Sequence, residues 1–270
     1  MPLDQERNLP LWAHLNELRA RLIRSLIVIA LGVSLAFWKL TWILENIVLA
    51  PLRPDFITFR ALCRIGVCVE DFPPLRLQAT APTEQFLKAL VLGLSIGFIL
   101  AFPYIVWQIW QFIRPGLYRH EQRALRGIVL YISGLFFLGV LFGYYVLVPL
   151  MMRFFMSFQL TPQVENIWRI GDLIGLMAQT ILAAGLAFQL PVLLWGLSWA
   201  GLVTAAGLGQ WRRYAIVASV ILGGVLTPSP DVLSQLILAV PLWGLYEVSV
   251  LIVKLSERRR RPLLPISGIR

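Results

Sequence analysis

Charged side chains are scarce in this chain, so the few beside long apolar runs are the first candidates for chemistry. His14-Leu-Asn-Glu-Leu-Arg-Ala-Arg-Leu-Ile-Arg24 immediately precedes the first such run. Read as a helix, His14, Glu17, Arg21 and Arg24 recur at three- and four-residue spacing and share one polar face. Leu11, Leu15, Leu18 and Leu22 form the apolar stripe beside it. Glu17 is a lone carboxylate among arginines, and a carboxylate so placed does recognition chemistry by accepting forked N–H donors from a guanidinium. Two readings stay open. In one, Glu17 pairs with its own Arg21 in an exposed contact that contributes a few tenths of a kcal/mol. In the other, the carboxylate is held where a cationic partner can reach it. A second carboxylate, Glu121, lies beside His120 in Leu117-Tyr-Arg-His-Glu-Gln-Arg123, among Arg114, Arg119, Arg123 and Arg126. Its bland alternative is a solvated, self-paired loop.

Three further polar features stand inside or at the ends of apolar segments. Gln189 precedes Pro191 and is read either as a helix–helix hydrogen bond or as a group facing a ligand path. Thr227-Pro-Ser-Pro-Asp231 leads into Ser234 and Gln235, either a turn and helix cap or a polar docking region. Glu247 sits in the last apolar run with Lys254 as its expected partner. Enzyme signals are absent: the chain has no H-E-x-x-H, G-x-S-x-G or Walker A pattern, and neither His14 nor His120 has a neighbouring serine or cysteine. No cofactor is expected. Two cysteines, Cys63 and Cys68, are too few for a zinc site.

These residues are positioned by apolar helices. Of the 270 residues, 58% are hydrophobic and 14% charged, against about a quarter charged in soluble domains. The long uncharged runs decide for an all-α integral membrane protein forming a single membrane domain over 1–270. The formal charge of +10 is spread between apolar runs rather than gathered on one soluble face, which argues against nucleic acid. Asp4, Glu6, Arg7, Pro2 and Pro10 argue against a cleavable signal peptide. Six helices are expected, at about 22–44, 86–113, 127–152, 173–199, 214–227 and 232–253. Gly201 and Gly207 let the chain leave the membrane after the fourth. The fifth is short, about 21 Å against a hydrocarbon core of about 30 Å.

Most of the 24 Lys and Arg residues fall on the side that also holds both termini, whereas Glu45, Asp55, Glu70, Asp71, Glu84, Glu165, Asp172 and Asp231 fall on the other. The positive-inside rule therefore predicts cytoplasmic N- and C-termini. Pro103, Pro149, Pro191 and Pro241 lie within or at the ends of helices and favour bends, giving an expected curved, concave bundle. An outer loop over about 46–83 carries Cys63 and Cys68, candidates for a local disulfide, with two free thiols as the alternative.

Four stretches together resemble the TatC family, the multispanning receptors of the twin-arginine protein translocase. His14-Leu-Asn-Glu-Leu-Arg-Ala-Arg21 is similar to its H-L-x-E-L-R-x-R signature, and Ala50-Pro51-Leu52 to its A-P-L. The run from Phe102-Pro103 to His120-Glu121 resembles its P-x-x-x-Y-Q-x-W-x-F-x-x-P-A-L-x-x-H-E stretch. Leu226-Thr-Pro-Ser-Pro-Asp-Val-Leu-Ser-Gln235 resembles its L-T-P-P-D-x-x-S-Q turn. The resemblance implies a receptor in a prokaryotic cytoplasmic membrane, rather than a thylakoid membrane, for Arg-Arg signal peptides of folded proteins. It implies TatA- and TatB-type single-span partners, further TatC copies, the lipid bilayer as surroundings and the proton-motive force as energy source.

Carried over by motif, Glu17 and Glu121 would receive the two arginines, with Arg19, His14 and His120 in the same binding set. Thr227, Asp231, Ser234 and Gln235 would lie in the partner-docking region. Many members carry Glu where this chain has Gln189, so a role there that needs a negative or titrating group is not expected. The alternative from another class is a secondary transporter or channel for small solutes, with Gln189 and Glu247 along its path.

Overall fold

The computed structural model describes residues 11–64, 66, 77–79, 81–116, 122, 127–158, 161, 167–226 and 232–260. Its helices are α1 (Leu11–Trp38), α2 (Leu40–Ile43), α3 (Ile57–Arg64), α4 (Pro82–Ile113), α5 (Ile128–Phe142), α6 (Val148–Ser157), α7 (Ile170–Ala187), α8 (Leu190–Trp199), α9 (Ala205–Gln210), α10 (Arg212–Leu226) and α11 (Val232–Arg260). Two-residue strands, β1 (Leu77–Gln78) and β2 (Trp168–Arg169), pair in parallel. The helical membrane class expected from the apolar runs is the class observed.

Among the described residues, five helical stretches are long and apolar enough to cross a membrane: His14–Trp38, Pro82–Gly116, Ile128–Ser157, Ile170–Trp199 and Gln235–Arg258. Helix α10 is not among them. Its 15 residues rise only about 22 Å, so it crosses a full-thickness core only if the bilayer thins around it.

The chain forms two compact units, Met1–Ile47 with Ala81–Gly134, and Val48–Thr80 with Leu135–Arg270. In the first, α1 packs along α4. Lipid tails are as apolar as leucine, so there is little hydrophobic gain in bringing two such helices together, and close backbone approach must supply the contact. Gly93-Leu-Ser-Ile-Gly97 supplies it from α4. A Cβ on Gly97 would fall 2.9 Å from the Ile29 carbonyl oxygen, and one on Gly32 only 2.8 Å from the Gly97 Cα. The outward side of α1 remains apolar and exposed, with Leu22, Leu26, Leu31 and Leu35 on it.

In the second unit the same device joins α5 to α7. A Cβ on Gly139 would lie 2.7 Å from the Ala184 carbonyl oxygen, and Gly185 lies under the ring of Phe136, which is fully buried. Leu147, Ala184, Leu238 and Leu242 form one core cluster, and Leu208, Val250 and Val253 another.

The prolines act in two ways. Pro103 and Pro241 lie inside the continuous helices α4 and α11. Pro149 follows a π-helical turn, Gly143–Leu147, and Pro191 follows the break between α7 and α8. Proline has no N–H, so Pro149 cannot satisfy the carbonyl four residues before it, that of Tyr145. The hydroxyl of Thr58 on α3 donates to that carbonyl instead, and Phe56 stacks on Tyr145 at 5.7 Å. The start of the α3 segment is therefore fastened to the point where the proline frees a backbone acceptor. Cys63, at the end of α3, is held in a disulfide; Cys68 lies outside the described residues. Gly201 ends α8 in the left-handed region, φ 76°, where glycine has no steric penalty. The N–H groups of Gly201 and Leu202 cap the carbonyls of Ser198 and Leu197. Gly207 does not end a helix; it lies inside α9, where its N–H is capped by Thr204.

Replacing Gly97 with valine should force α1 and α4 apart and lower stability by roughly 1–3 kcal/mol, the usual range for overpacking. Thermal unfolding in detergent measures it. Gly134→Ala is the matched control: nothing stands within 4 Å of a Cβ added at that position, so its unfolding midpoint should not fall.

Candidate functional site

The polar face expected on α1 forms, and Glu17 is paired. Its Oε1 accepts from Arg21 Nη2 at 2.5 Å and from Arg21 Nε at 3.1 Å. The remaining Arg21 nitrogen, Nη1, donates to Gln108 Oε1 at 3.3 Å. Gln108 Nε2 in turn donates to the hydroxyl of Tyr104 at 2.6 Å. The Arg21 carbonyl accepts from buried Ser25. The result is a continuous run of hydrogen bonds from the open end of α1 into the α1–α4 contact.

Exposure falls along that run. The Glu17 side chain is 32% exposed, that of Arg21 16%, and Gln108 only 3%. The pair therefore differs from a solvated i,i+4 contact, because Arg21 is held from behind by a buried amide and loses less freedom on pairing. An ionised carboxylate has about four acceptor positions over two oxygens. Arg21 engages one oxygen, and the other has no hydrogen-bond partner among the described residues. Arg19 and Arg24 are exposed on the same helix and form no ion pair among the described residues. His14 stacks on Phe112 of α4 at 4.2 Å between ring centroids, which fixes the start of α1 against the end of α4.

Glu121 and His120 lie outside the described residues. Their neighbour Gln122 is bound both ways to Arg114: its Nε2 donates to the Arg114 carbonyl at 3.0 Å, and Arg114 Nε donates to its Oε1 at 3.3 Å. Gln108, Tyr104, Phe112 and Gln122 are site-building residues that spacing alone did not single out. The available signal was a buried-type glutamine in an otherwise apolar run, since an amide in a membrane helix needs a partner.

In the second unit, Gln189 sits half-buried at the break between α7 and α8. Its N–H donates to the Leu186 carbonyl, and its own carbonyl accepts from Leu193. Gln235 reaches from α11 to α10 and donates to the Val220 carbonyl at 2.7 Å. Gly223 and Gly224 leave room for it, since a Cβ on either would fall within 3 Å of Gln235 atoms. Thr227 and Asp231 lie outside the described residues, as does the side chain of Ser234. Glu247 takes Arg212, not the expected Lys254, as its partner, at 2.8 Å. Arg212 stands at the first turn of α10, and the α10–α11 packing brings it beside Glu247.

The pattern of the TatC family, described as Sec-independent protein translocase protein TatC, matches residues 13–241. The TatC of Aquifex aeolicus is 33% identical over 256 residues, which cover 94% of this chain and 99% of that protein. The chain belongs to the TatC family. The TatC of Azotobacter chroococcum is 36% identical over 263 residues, 96% of this chain and 94% of that one. A crystal structure of the twin arginine translocase receptor TatC superposes with a TM-score of 0.73 at 34% identity, covering 91% of this chain and all of that one. A second TatC crystal structure, in the detergent DDM, gives 0.72 at 32% identity, covering 89% and 99%. Membership makes this chain a multi-pass membrane protein and a component of a transport system. In this TatC chain the Glu17 signature and the Gln108 run are consecutive links of one hydrogen-bonded network.

Gln108→Leu should leave Arg21 Nη1 without its buried partner, at a cost of about 1–3 kcal/mol. The readout is the thermal midpoint in detergent, expected to fall. A midpoint equal to wild type would show that Gln108 does not support Arg21.

Proposed function

We propose that the chain is the receptor subunit of a twin-arginine translocase in a prokaryotic cytoplasmic membrane, with Glu17 and Glu121 reading the paired arginines of a signal peptide at the cytoplasmic face. The observation that carries this reading is the forked grip of a guanidinium on one oxygen of the Glu17 carboxylate, its second oxygen having no partner among the described residues. The site already performs on Arg21 the chemistry it would perform on a signal arginine. Family membership supplies the class of cargo.

Arginine suits such a site and lysine does not. A planar guanidinium presents parallel N–H donors to a carboxylate, whereas an ammonium is a compact point charge. Each charge-assisted bond contributes roughly 1.5–3 kcal/mol, or about one to two decades of affinity. Arg19 and Arg24 keep the surface cationic, which disfavours merely basic peptides. His14 and His120 belong to the same face in this reading.

TatA- and TatB-type single-span proteins and further TatC copies are the partners, and the proton-motive force is the energy source. Thr227, Asp231 and Ser234 form the docking region for a partner helix. Gln235 holds α10 to α11 behind it, since its amide is already used inside the chain. Gln189 serves as a neutral hydrogen-bonding group, which spares the cost of a charge within the membrane. Cys63 and Cys68 form the disulfide of the outer loop.

Photo-crosslinking of an Arg-Arg signal peptide to the purified protein tests the site. Glu17→Ala combined with Glu121→Ala should weaken capture by at least about tenfold, as should a Lys-Lys peptide with the wild-type protein. Undiminished capture by the double variant would remove these two carboxylates from the site. For the outer loop, mass analysis after alkylation should show both cysteines blocked without reductant and both alkylated with it. Alkylation of Cys68 without reductant would exclude the pairing.

A further inference from the structure

A pocket of about 450 Å³ opens where α9, the start of α10 and the end of α11 come together. We infer that it binds the phosphate of an anionic phospholipid headgroup. Ala205, Ala206, Gly209 and Val250 make its apolar wall, and Arg212, Lys254 and Arg258 bring three cations to it. The nearby carboxylates are committed elsewhere. Glu247 is paired with Arg212 at 2.8 Å. Glu257, also in the wall, accepts the N–H of Ala205 at 2.8 Å and so caps the start of α9. Lys254 and Arg258 are one helical turn apart on α11, both exposed, and have no ion pair among the described residues. Lys254 and Arg258 therefore stand without an ion pair among the described residues above an apolar wall, and with Glu257 beside them the lining keeps a net positive charge.

The exposed aromatic pair beside it points to lipid as the source of the phosphate. Trp211 and Tyr214 flank Arg212 in sequence, are 63% and 52% exposed, and contact each other. Exposed Trp and Tyr mark the headgroup level of a bilayer. Leu251 and Leu255, also exposed on α11, offer apolar surface for acyl chains. Basic pockets between membrane helices at that level bind anionic headgroups, each Lys or Arg contributing about 1 kcal/mol. The pocket is preformed: the Tyr246 hydroxyl donates to the Leu208 carbonyl at 2.7 Å and fastens α9 to α11, and Val253 beneath it is fully buried. This site lies in the second unit and does not depend on the peptide-reading role of Glu17.

Native mass spectrometry of the delipidated full-length protein in detergent, with equimolar phosphatidylglycerol and phosphatidylcholine, tests it. Wild type should retain phosphatidylglycerol in preference to phosphatidylcholine. Lys254→Gln with Arg258→Gln should bind phosphatidylglycerol roughly 30-fold more weakly, the equivalent of about 1 kcal/mol for each of two charges. Gly209→Leu should also weaken it while keeping both cations, because Gly209 lines the pocket and nothing stands within 4 Å of a Cβ added there, so the side chain enters the space the headgroup would take. Lys39→Gln with Lys88→Gln, equal in charge removed, should not. Equal retention of the two lipids, or wild-type retention by the Lys254/Arg258 variant, would overturn the site. Displacement of the lipid by inorganic phosphate at matched concentration would overturn lipid as the occupant.

Discussion

Hydrocarbon offers no partner to a polar group, so a polar atom placed in a membrane helix is costly unless it finds one inside the protein. That constraint accounts for much of this structure. The carbonyl of Tyr145, which Pro149 cannot serve, takes the hydroxyl of Thr58, and α3 is thereby fastened to the turn between α5 and α6. The amide of Gln235 takes the Val220 carbonyl and joins α11 to α10. The amide of Gln108 links Arg21 to Tyr104 and joins α4 to α1. These three polar groups act as staples between elements, whereas Ser95, Ser219 and Ser249 turn back onto carbonyls of their own helices. The glycines at 32, 97, 139 and 185 do the complementary work, letting backbones approach where there is no hydrophobic gain to draw them together.

The same constraint sorts the charges. Ionised groups cost least at the ends of the spans, and Glu17 pairs with Arg21 at such an end, at the start of α1; Glu247, inside the Gln235–Arg258 stretch, is instead paired with Arg212 from the start of α10. These two pairs differ in what they leave over. Among the described residues, Glu17 keeps an acidic oxygen without a partner, suited to a guanidinium. At the α9–α11 pocket, Lys254 and Arg258 have no ion pair among the described residues and are suited to a phosphate. One chain thus presents two opposite kinds of unfinished electrostatics, both held at helix ends by neighbours that are themselves hydrogen-bonded.

Much was legible without coordinates. Uncharged runs long enough for a bilayer can only be membrane helices, because no other open structure satisfies its backbone there. The helical spacing of His14, Glu17 and Arg21 placed them on one face, and the possibility that Glu17 meets Arg21 followed from four-residue spacing alone. Four ordered motifs carried the family. Such features are local, or depend on the solvent rather than on which helices meet.

What the tertiary structure decided are the contacts between distant segments. That Arg21 is backed by Gln108, 87 positions away, turns an ordinary i,i+4 pair into a supported one, and no periodicity along α1 contains it. Glu247 chose Arg212 over Lys254 because the helix packing, not chain distance, set the neighbour. Lys254 and Arg258 have no ion pair among the described residues, while Glu247 and Glu257 are engaged by groups from other helices. The sequence by itself determined which residues must be helical, apolar or charged. Only the fold decided which charges are neutralised and which remain for a ligand, because that depends on partners brought together across tens of residues.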